Sequence, residues 1–335
     1  MLNIGIIGCG LIGKKRANSI SQINDVARLV ACADVNINRA NLLASEYQNV
    51  SSYDSWQVFL EHSSLDVVIV STLHDSLSEI TSACIKANKH VLVEKPAARS
   101  KAELLPVMKL ADVSNVKVRV GFNHRYHRAF QKAKAIIQDG KLGELMFIRA
   151  RYGHGARIGY ENEWRANPSL SGGGELIDQG PHLIDLSQWL FEKPLNFHSG
   201  SAHTYFWDMP VDDNGFMLLK TAKKQVAFLH ASCTEWKNLF SMEIYGKDGK
   251  LDLSGLGGSY GIEQITHYRM LPEMGPPETK TWEYPMGDNS WELEMNDFYK
   301  DISRDREPSA GLIDAYEALK IIQNIYLESD YDYSS

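Results

Sequence analysis

Asn3-Ile4-Gly5-Ile6-Ile7-Gly8-Cys9-Gly10-Leu11-Ile12-Gly13 decides the fold. Its apolar half reads as a buried strand, and Gly8-Cys9-Gly10-Leu11-Ile12-Gly13 fits the G-x-G-x-x-G turn that opens a helix. Gly8 permits the tight turn, Gly10 lets the backbone approach a pyrophosphate, and Gly13 lets the helix lie against the strand. The phosphates then meet the N–H groups of Gly10, Leu11 and Ile12 and the positive end of the helix dipole. Further on, Ala27-Arg28-Leu29-Val30-Ala31-Cys32-Ala33-Asp34 reads as a second strand ending in a carboxylate. Asp34 falls about twenty residues past the glycines, where an acid bonds the adenosine ribose hydroxyls. Together the two halves imply a dinucleotide site. A carboxylate repels a 2′-phosphate, so the expected cofactor is NAD before NADP, with Arg39 as the residue that would accept that phosphate.

The rest of the N-terminal segment keeps the same alternation. Leu65 to Val70 is an apolar, β-branched run suited to a parallel strand covered on both faces, and His90 to Val93 is another. Helices are expected over Ile37–Tyr47, after an Asp54 N-cap, over Ser76–Ala87, and from the capping box Ser100-Lys101-Ala102-Glu103. A last strand, Val116 to Val120, ends at Gly121. The pattern is a doubly wound parallel sheet, a Rossmann dinucleotide-binding domain over residues 1–121. From residue 122 the character changes. After a helix near Ala129–Gln138, alternating segments at Glu144–Tyr152, Phe216–Leu219, Gln225–Ala231 and Met242–Tyr245 point to an α+β domain. That domain, over 122–335, is expected to hold a large, mostly antiparallel open sheet, a helix near Ile313–Leu327 and a frayed tail from Glu328.

With 335 residues the chain is long for one core, and its composition of 44% hydrophobic and 23% charged residues is that of a globular protein. A net charge of −7 gives no support to nucleic-acid or anionic-membrane binding. The cysteines, Cys9, Cys32, Cys84 and Cys233, form no C-x-x-C pair and read as buried thiols. With a strand starting beside Met1 and no long apolar run, the expected location is the cytoplasm, without a leader.

Beyond the glycine turn, Glu94-Lys95-Pro96, Asn123-His124-Arg125-Tyr126 and Gly172-Gly173-Gly174-x-x-x-Asp178-x-Gly180-x-His182 follow in order. In this combination the chain resembles the glucose–fructose oxidoreductase/inositol dehydrogenase (Gfo/Idh/MocA) family. The resemblance implies an NAD(P)-dependent oxidoreductase acting on a secondary alcohol of a sugar, sugar nucleotide or cyclitol, and a homodimer or homotetramer. It implies that Lys95 is the active-site lysine, whose ammonium bonds the substrate hydroxyl and favours a developing alkoxide. Asp178 and His182 stand one helical turn apart, although Pro181 leaves open whether that helix is continuous. A histidine titrating near neutrality suits removal of the hydroxyl proton, and a nearby carboxylate stabilises its charged form. A metal site of Asp178, His182 and Asp185 is the rival reading, and the expected metal is none; Asp185 reads as structural.

Along the expected cofactor path lie Ser71, Thr72 and His74, then Glu94, Lys95 and Asn123 towards the nicotinamide. Family members commonly read Thr-Pro-Asn-x-x-His in the first of these turns; here Leu73, His74 and Leu77 replace the proline, asparagine and histidine. Tyr126 and the loop between Tyr152 and Gly172, with His154, Arg157, Tyr160, Trp164 and Arg165, are expected to face the substrate. Aromatic rings there suit a sugar's C–H face and the arginines a phosphate or carboxylate, so this cluster is expected to favour a sugar or sugar nucleotide over an uncharged inositol. Two alternatives stand beside dehydrogenation: a tightly held NAD used for elimination, hydrolysis or sugar-to-sugar hydride exchange, and an NAD-binding sensor without catalysis.

Overall fold

A computed structural model describes residues 1–331, so the last four residues of the expected frayed tail lie outside the described residues. The chain divides into two compact units, Met1–Phe122 with Trp291–Tyr316, and Asn123–Ser290 with the segment from Glu317 onward.

The first unit alternates strand and helix: β1 (Leu2–Ile7), α1 (Leu11–Ser21), β2 (Ala27–Ala33), α2 (Ile37–Ser45), β3 (Ser51–Tyr53), α3 (Trp56–Leu60), β4 (Val67–Val70), α4 (His74–Lys86), β5 (His90–Val93), α5 (Lys101–Asp112) and β6 (Val118–Val120). The strands are all parallel in the order β3-β2-β1-β4-β5-β6. This is the doubly wound order that reverses between its first and fourth strands, where such sheets bind ligands. β4 is Val-Val-Ile-Val with every residue buried, as a strand covered on both faces requires. Ser55, not Asp54, caps α3, since its hydroxyl accepts the Val58 N–H. At α5 the Ser100 hydroxyl accepts the Glu103 N–H, while the Glu103 carboxylate reaches back to the N–H of Arg99 rather than that of Ser100.

The helix α9 (Ser290–Ser303) also contributes to this unit, where the sequence division had put it with the second domain. Met295 and Phe298 are 0% exposed within the core that also holds Ile4, Ile6, Val67 and Leu92. Its acids meet buried arginines. Arg16 lies between Glu94 and Glu294, each 2.5 Å away, and Arg119 pairs with Asp297 and Asp301. A buried arginine with no counter-ion is strongly unfavourable, so Arg16 and Arg119 draw this helix to the first unit.

The second unit is an eight-stranded sheet with helices on one face. α6 (Arg128–Gln138) is followed by β7 (Leu145–Gly153), α7 (Pro168–Ser171), α8 (Glu175–Phe191), β8 (Asn196–His203), β9 (Asn214–Lys220), β10 (Val226–Ser232), β11 (Leu239–Gly246), β12 (Lys250–Ser254), β13 (Glu263–Arg269), β14 (Glu278–Tyr284) and, beyond the helix of the first unit, α10 (Leu312–Glu328). The order is β14-β13-β12-β11-β7-β10-β9-β8, antiparallel except where β7 meets β10. α8 covers β7, β9 and β10, and α6 covers β13 and β14. Residues 246–249 close the β11–β12 hairpin. Residues 329–331 are tied down rather than frayed: Ser329 Oγ accepts the Ala202 N–H, and the Tyr331 hydroxyl bonds Thr204. Among the described residues, no helix is long and apolar enough to cross a membrane, and all four cysteines are free and buried.

Candidate active site

The turn after β1 is built as the spacing demands. Gly8 has φ +98°, and a Cβ on Gly13 would lie 2.0 Å from the Gly8 carbonyl oxygen, so only glycine suits either place. Gly10 differs: a Cβ there would meet nothing within 4 Å. It stands at the N-cap of α1, and no side chain caps that helix end. Asp34 closes the turn from the end of β2: its Oδ2 accepts the Cys9 N–H at 2.8 Å and its Oδ1 the Asn36 N–H at 2.8 Å. An uncapped helix end beside open space and an oriented carboxylate fit a pyrophosphate and a ribose.

The other expected cofactor residues divide. Ser71 bonds the Gly8 carbonyl at 2.8 Å, Thr72 bonds Ser76 at 2.9 Å, and His74 begins α4 and is buried. Leu11 is exposed, Ile12 half-buried, and Arg39 exposed on α2. Lys95 is half-buried at the end of β5, and the Lys95–Pro96 peptide is cis. Glu94 is committed within its own unit, since Arg16 Nε donates to it at 2.7 Å.

In the second unit the chemistry gathers at α8, which runs unbroken through Pro181. Its start is capped from a distance: Asp212 Oδ1 accepts the Gly174 N–H at 2.9 Å and Oδ2 the Leu176 N–H at 2.7 Å. The Tyr326 hydroxyl also donates to Asp212, at 2.7 Å. Gly174 is glycine because a Cβ would lie 1.8 Å from the Asp212 carbonyl oxygen. The glycine triplet thus packs protein against protein.

One turn inside that end lies a buried polar cluster. His182 stacks on His124 with centroids 3.7 Å apart, and the Tyr152 ring stands 5.2 Å from His124 and 6.1 Å from His182. Burial lifts the Tyr152 and Tyr260 hydroxyls above their usual range, Tyr260 to about 12, so both remain proton donors at neutral pH. Arg165 Nε donates to Asp178 Oδ2 at 2.9 Å, and its guanidinium lies 4.5 Å from the Trp164 ring. His154 Nε2 is 3.5 Å from the Glu175 carboxylate. Burial disfavours the His154 imidazolium, and Glu175 outweighs that, so His154 titrates above the ordinary histidine range.

The remaining expected substrate residues are less uniform. Tyr126 is half-buried beside Asn123, whose amide donates to Ser290 Oγ at 2.9 Å. Tyr160 is only 5% exposed and packs with Val211 and Cys233, so it belongs to a small core. Arg157 is largely exposed and bonded to Glu163 at 2.6 Å. Arg125 forks both oxygens of Asp185, with Nε at 2.9 Å from Oδ2, which commits that carboxylate to an ion pair. His124, Tyr152, Glu175 and Tyr260 belong to the cluster without having been singled out. His124 stood inside a quoted motif and Glu175 directly after the glycine triplet, whereas nothing local marks Tyr260.

A six-stranded parallel sheet in this order, with a glycine turn opening its first helix, is the dinucleotide-binding architecture. Residues 2–122 match the "oxidoreductase family, NAD-binding Rossmann fold", and residues 130–252 the "GFO/IDH/MocA C-terminal domain". The chain belongs to the Gfo/Idh/MocA oxidoreductase family, and its first unit is that family's NAD-binding fold. It is 24% identical to levoglucosan dehydrogenase of Pseudarthrobacter phenanthrenivorans, over 98% of this chain and 96% of that one. It is 27% identical to inositol 2-dehydrogenase 2 of Saccharopolyspora erythraea and 29% to myo-inositol 2-dehydrogenase of Thermotoga maritima. Those two matches span little more than half of the relatives, 57% and 59%. Among solved structures, levoglucosan dehydrogenase in complex with NADH and levoglucosan superposes with a TM-score of 0.86 over 98% of both chains, at 22% identity.

Proposed function

We propose that the protein is an NAD-dependent dehydrogenase acting on a secondary alcohol of an uncharged sugar or cyclitol. NAD, when bound, supplies the hydride acceptor. The imidazole of His182 takes the hydroxyl proton as the carbon is oxidised. Asp178, one turn away and charge-compensated by Arg165, supports the cationic imidazole. Lys95 donates to the reacting oxygen and favours its developing negative charge. Asp34 bonds the ribose and selects NAD over NADP.

The observation that carries this reading is the buried His182–His124 stack on α8, with Asp178 one turn before it. Polar side chains this buried usually complete a hydrogen-bonded core or do chemistry, and a stacked imidazole pair is a poor core filler. The pairing of Arg157 with Glu163, and of Arg165 with Asp178, leaves no arginine of the loop uncommitted to a carboxylate, which favours a neutral substrate over a sugar phosphate or sugar nucleotide. The family relatives named for inositol and levoglucosan point the same way.

The test is the appearance of reduced nicotinamide when the protein meets NAD with inositols, free sugars, levoglucosan, sugar phosphates and sugar nucleotides. Turnover with a neutral polyol is the expected result, and His182→Ala lowers it about 10²- to 10⁴-fold. Turnover confined to phosphorylated substrates would overturn the neutral-substrate assignment. Silence throughout, with NAD retained through purification, would favour a recycled cofactor. The helix-free face of the eight-stranded sheet, where Phe228 is 50% exposed, is the surface we assign to a homodimer or homotetramer. A monomer by light scattering would remove that assignment. The four buried free thiols suit a reducing cytoplasm.

A further inference from the structure

The far edge of the second unit holds a feature that none of these roles uses. In the β13–β14 register Ile265 faces Trp282, His267 faces Lys280, and Arg269 faces Glu278. Alternate residues share a face, and α6 lies over these two strands. Between them opens a cavity of about 790 Å³, the size of a small-molecule site. Five of its lining residues are cations, Lys132, Lys141, Lys247, Arg269 and Lys280, against two carboxylates, Asp248 and Glu278. The chain as a whole carries −7, so this is a local reversal of sign.

Some of that charge is answered nearby: Lys141 by Asp139 at 2.8 Å, Lys247 by Glu144 at 2.6 Å, and Arg269 by Glu278 at 3.8 Å. Lys132 and Lys280 form no salt bridge among the described residues, although Asp139 lies within electrostatic reach of Lys132. Both ammonium groups instead flank the Trp282 ring, 4.6 and 5.1 Å from its centre. Two like charges held against one indole repel each other, and an anion bound in the cavity that both lysines line would relieve that.

We infer that this cavity binds a small polyanion carrying two or more phosphate groups. Lysines, as point charges without a planar fork, suit phosphate more than carboxylate, and lysines make up four of the five cations. None of the residues is assigned above to the cofactor or the substrate, so the inference stands whether or not the dehydrogenase reading survives.

The experiment is calorimetric titration of inorganic pyrophosphate into the NAD-saturated full-length protein at fixed ionic strength, so that the glycine turn is already filled. Saturable one-to-one binding is expected. It weakens about tenfold in Lys280→Gln and in Lys132→Gln, and tightens in Glu278→Gln. Both lysines are at the surface, so unchanged melting temperatures will show that the variants are folded. Absence of saturable heat, or an affinity unchanged from wild type in both lysine variants, would overturn the site. Citrate binding as tightly as pyrophosphate would overturn its assignment to phosphate.

Discussion

Two glycine-rich turns precede two helices in this chain, and they do opposite things. At Gly8–Gly13 the helix end is uncapped and a Cβ on Gly10 would enter open space. At Gly172–Gly174 the helix end is capped by Asp212, and a Cβ on Gly174 would strike the Asp212 backbone at 1.8 Å. A glycine thus marks a close approach without saying whether ligand or protein approaches. The neighbours decide. Where a distant carboxylate has taken the first-turn N–H groups, the end is closed to an anion; where none has, it is available.

The comparison can be broken most sharply at the closed turn. Gly174→Ala forces a backbone shift and is expected to cost at least about 3 kcal/mol of stability, read from urea unfolding; a cost near zero would mean that the turn is not closed. Asp212 gives the next test. Burial raises its carboxyl from 3.8 to about 6 in the folded chain. The folded state therefore holds the proton more tightly than the unfolded one, and stability contributed at Asp212 falls as pH rises through that window. Relative to Asp212→Asn, the wild type should lose about 1–3 kcal/mol between about pH 4 and 6 and change little outside it. A gap that does not vary with pH would sink this account of the cap.

At the open turn the effects move from stability to binding. Gly10→Ala should weaken NAD about tenfold or more while unfolding stays within about 0.5 kcal/mol of wild type. Lost stability with unchanged NAD affinity would make the two turns alike. Asp34→Ser is the mildest change: the Michaelis constant for NAD should rise up to about tenfold, and that for NADP less. Equal effects on both cofactors would remove the ribose assignment.

What was legible in the sequence follows the range of the forces involved. β1, β4 and the glycine turn are local patterns of burial and backbone freedom, and they appear where expected. Asp34 was legible because the strand–helix–strand unit has a fixed length. The helix Ser290–Ser303 was missed although Trp291, Met295, Phe298 and Ile302 recur at helical spacing; its placement rests on Arg16 and Arg119, far away in sequence. β8, β12, β13 and β14 went unmarked, β14 most understandably, because its residues are half-buried or exposed and alternation leaves little contrast. The glycine triplet was read as a mark of chemistry, whereas it serves contacts with Asp212 and Tyr326, which lie on other elements and could not be seen locally.

The buried arginines also set an order of events during synthesis. Arg16 and Arg119 emerge early, but their counter-ions Glu294 and Asp301 come from the last eighth of the chain. A nascent chain ending at Phe122 holds Arg16 with Glu94 alone and Arg119 without Asp297 or Asp301, a deficit of about 3–5 kcal/mol for the uncompensated Arg119. The ion pairs that complete the nucleotide-binding unit therefore form only once Glu294 and Asp301 have been made, after every strand of the second unit's sheet.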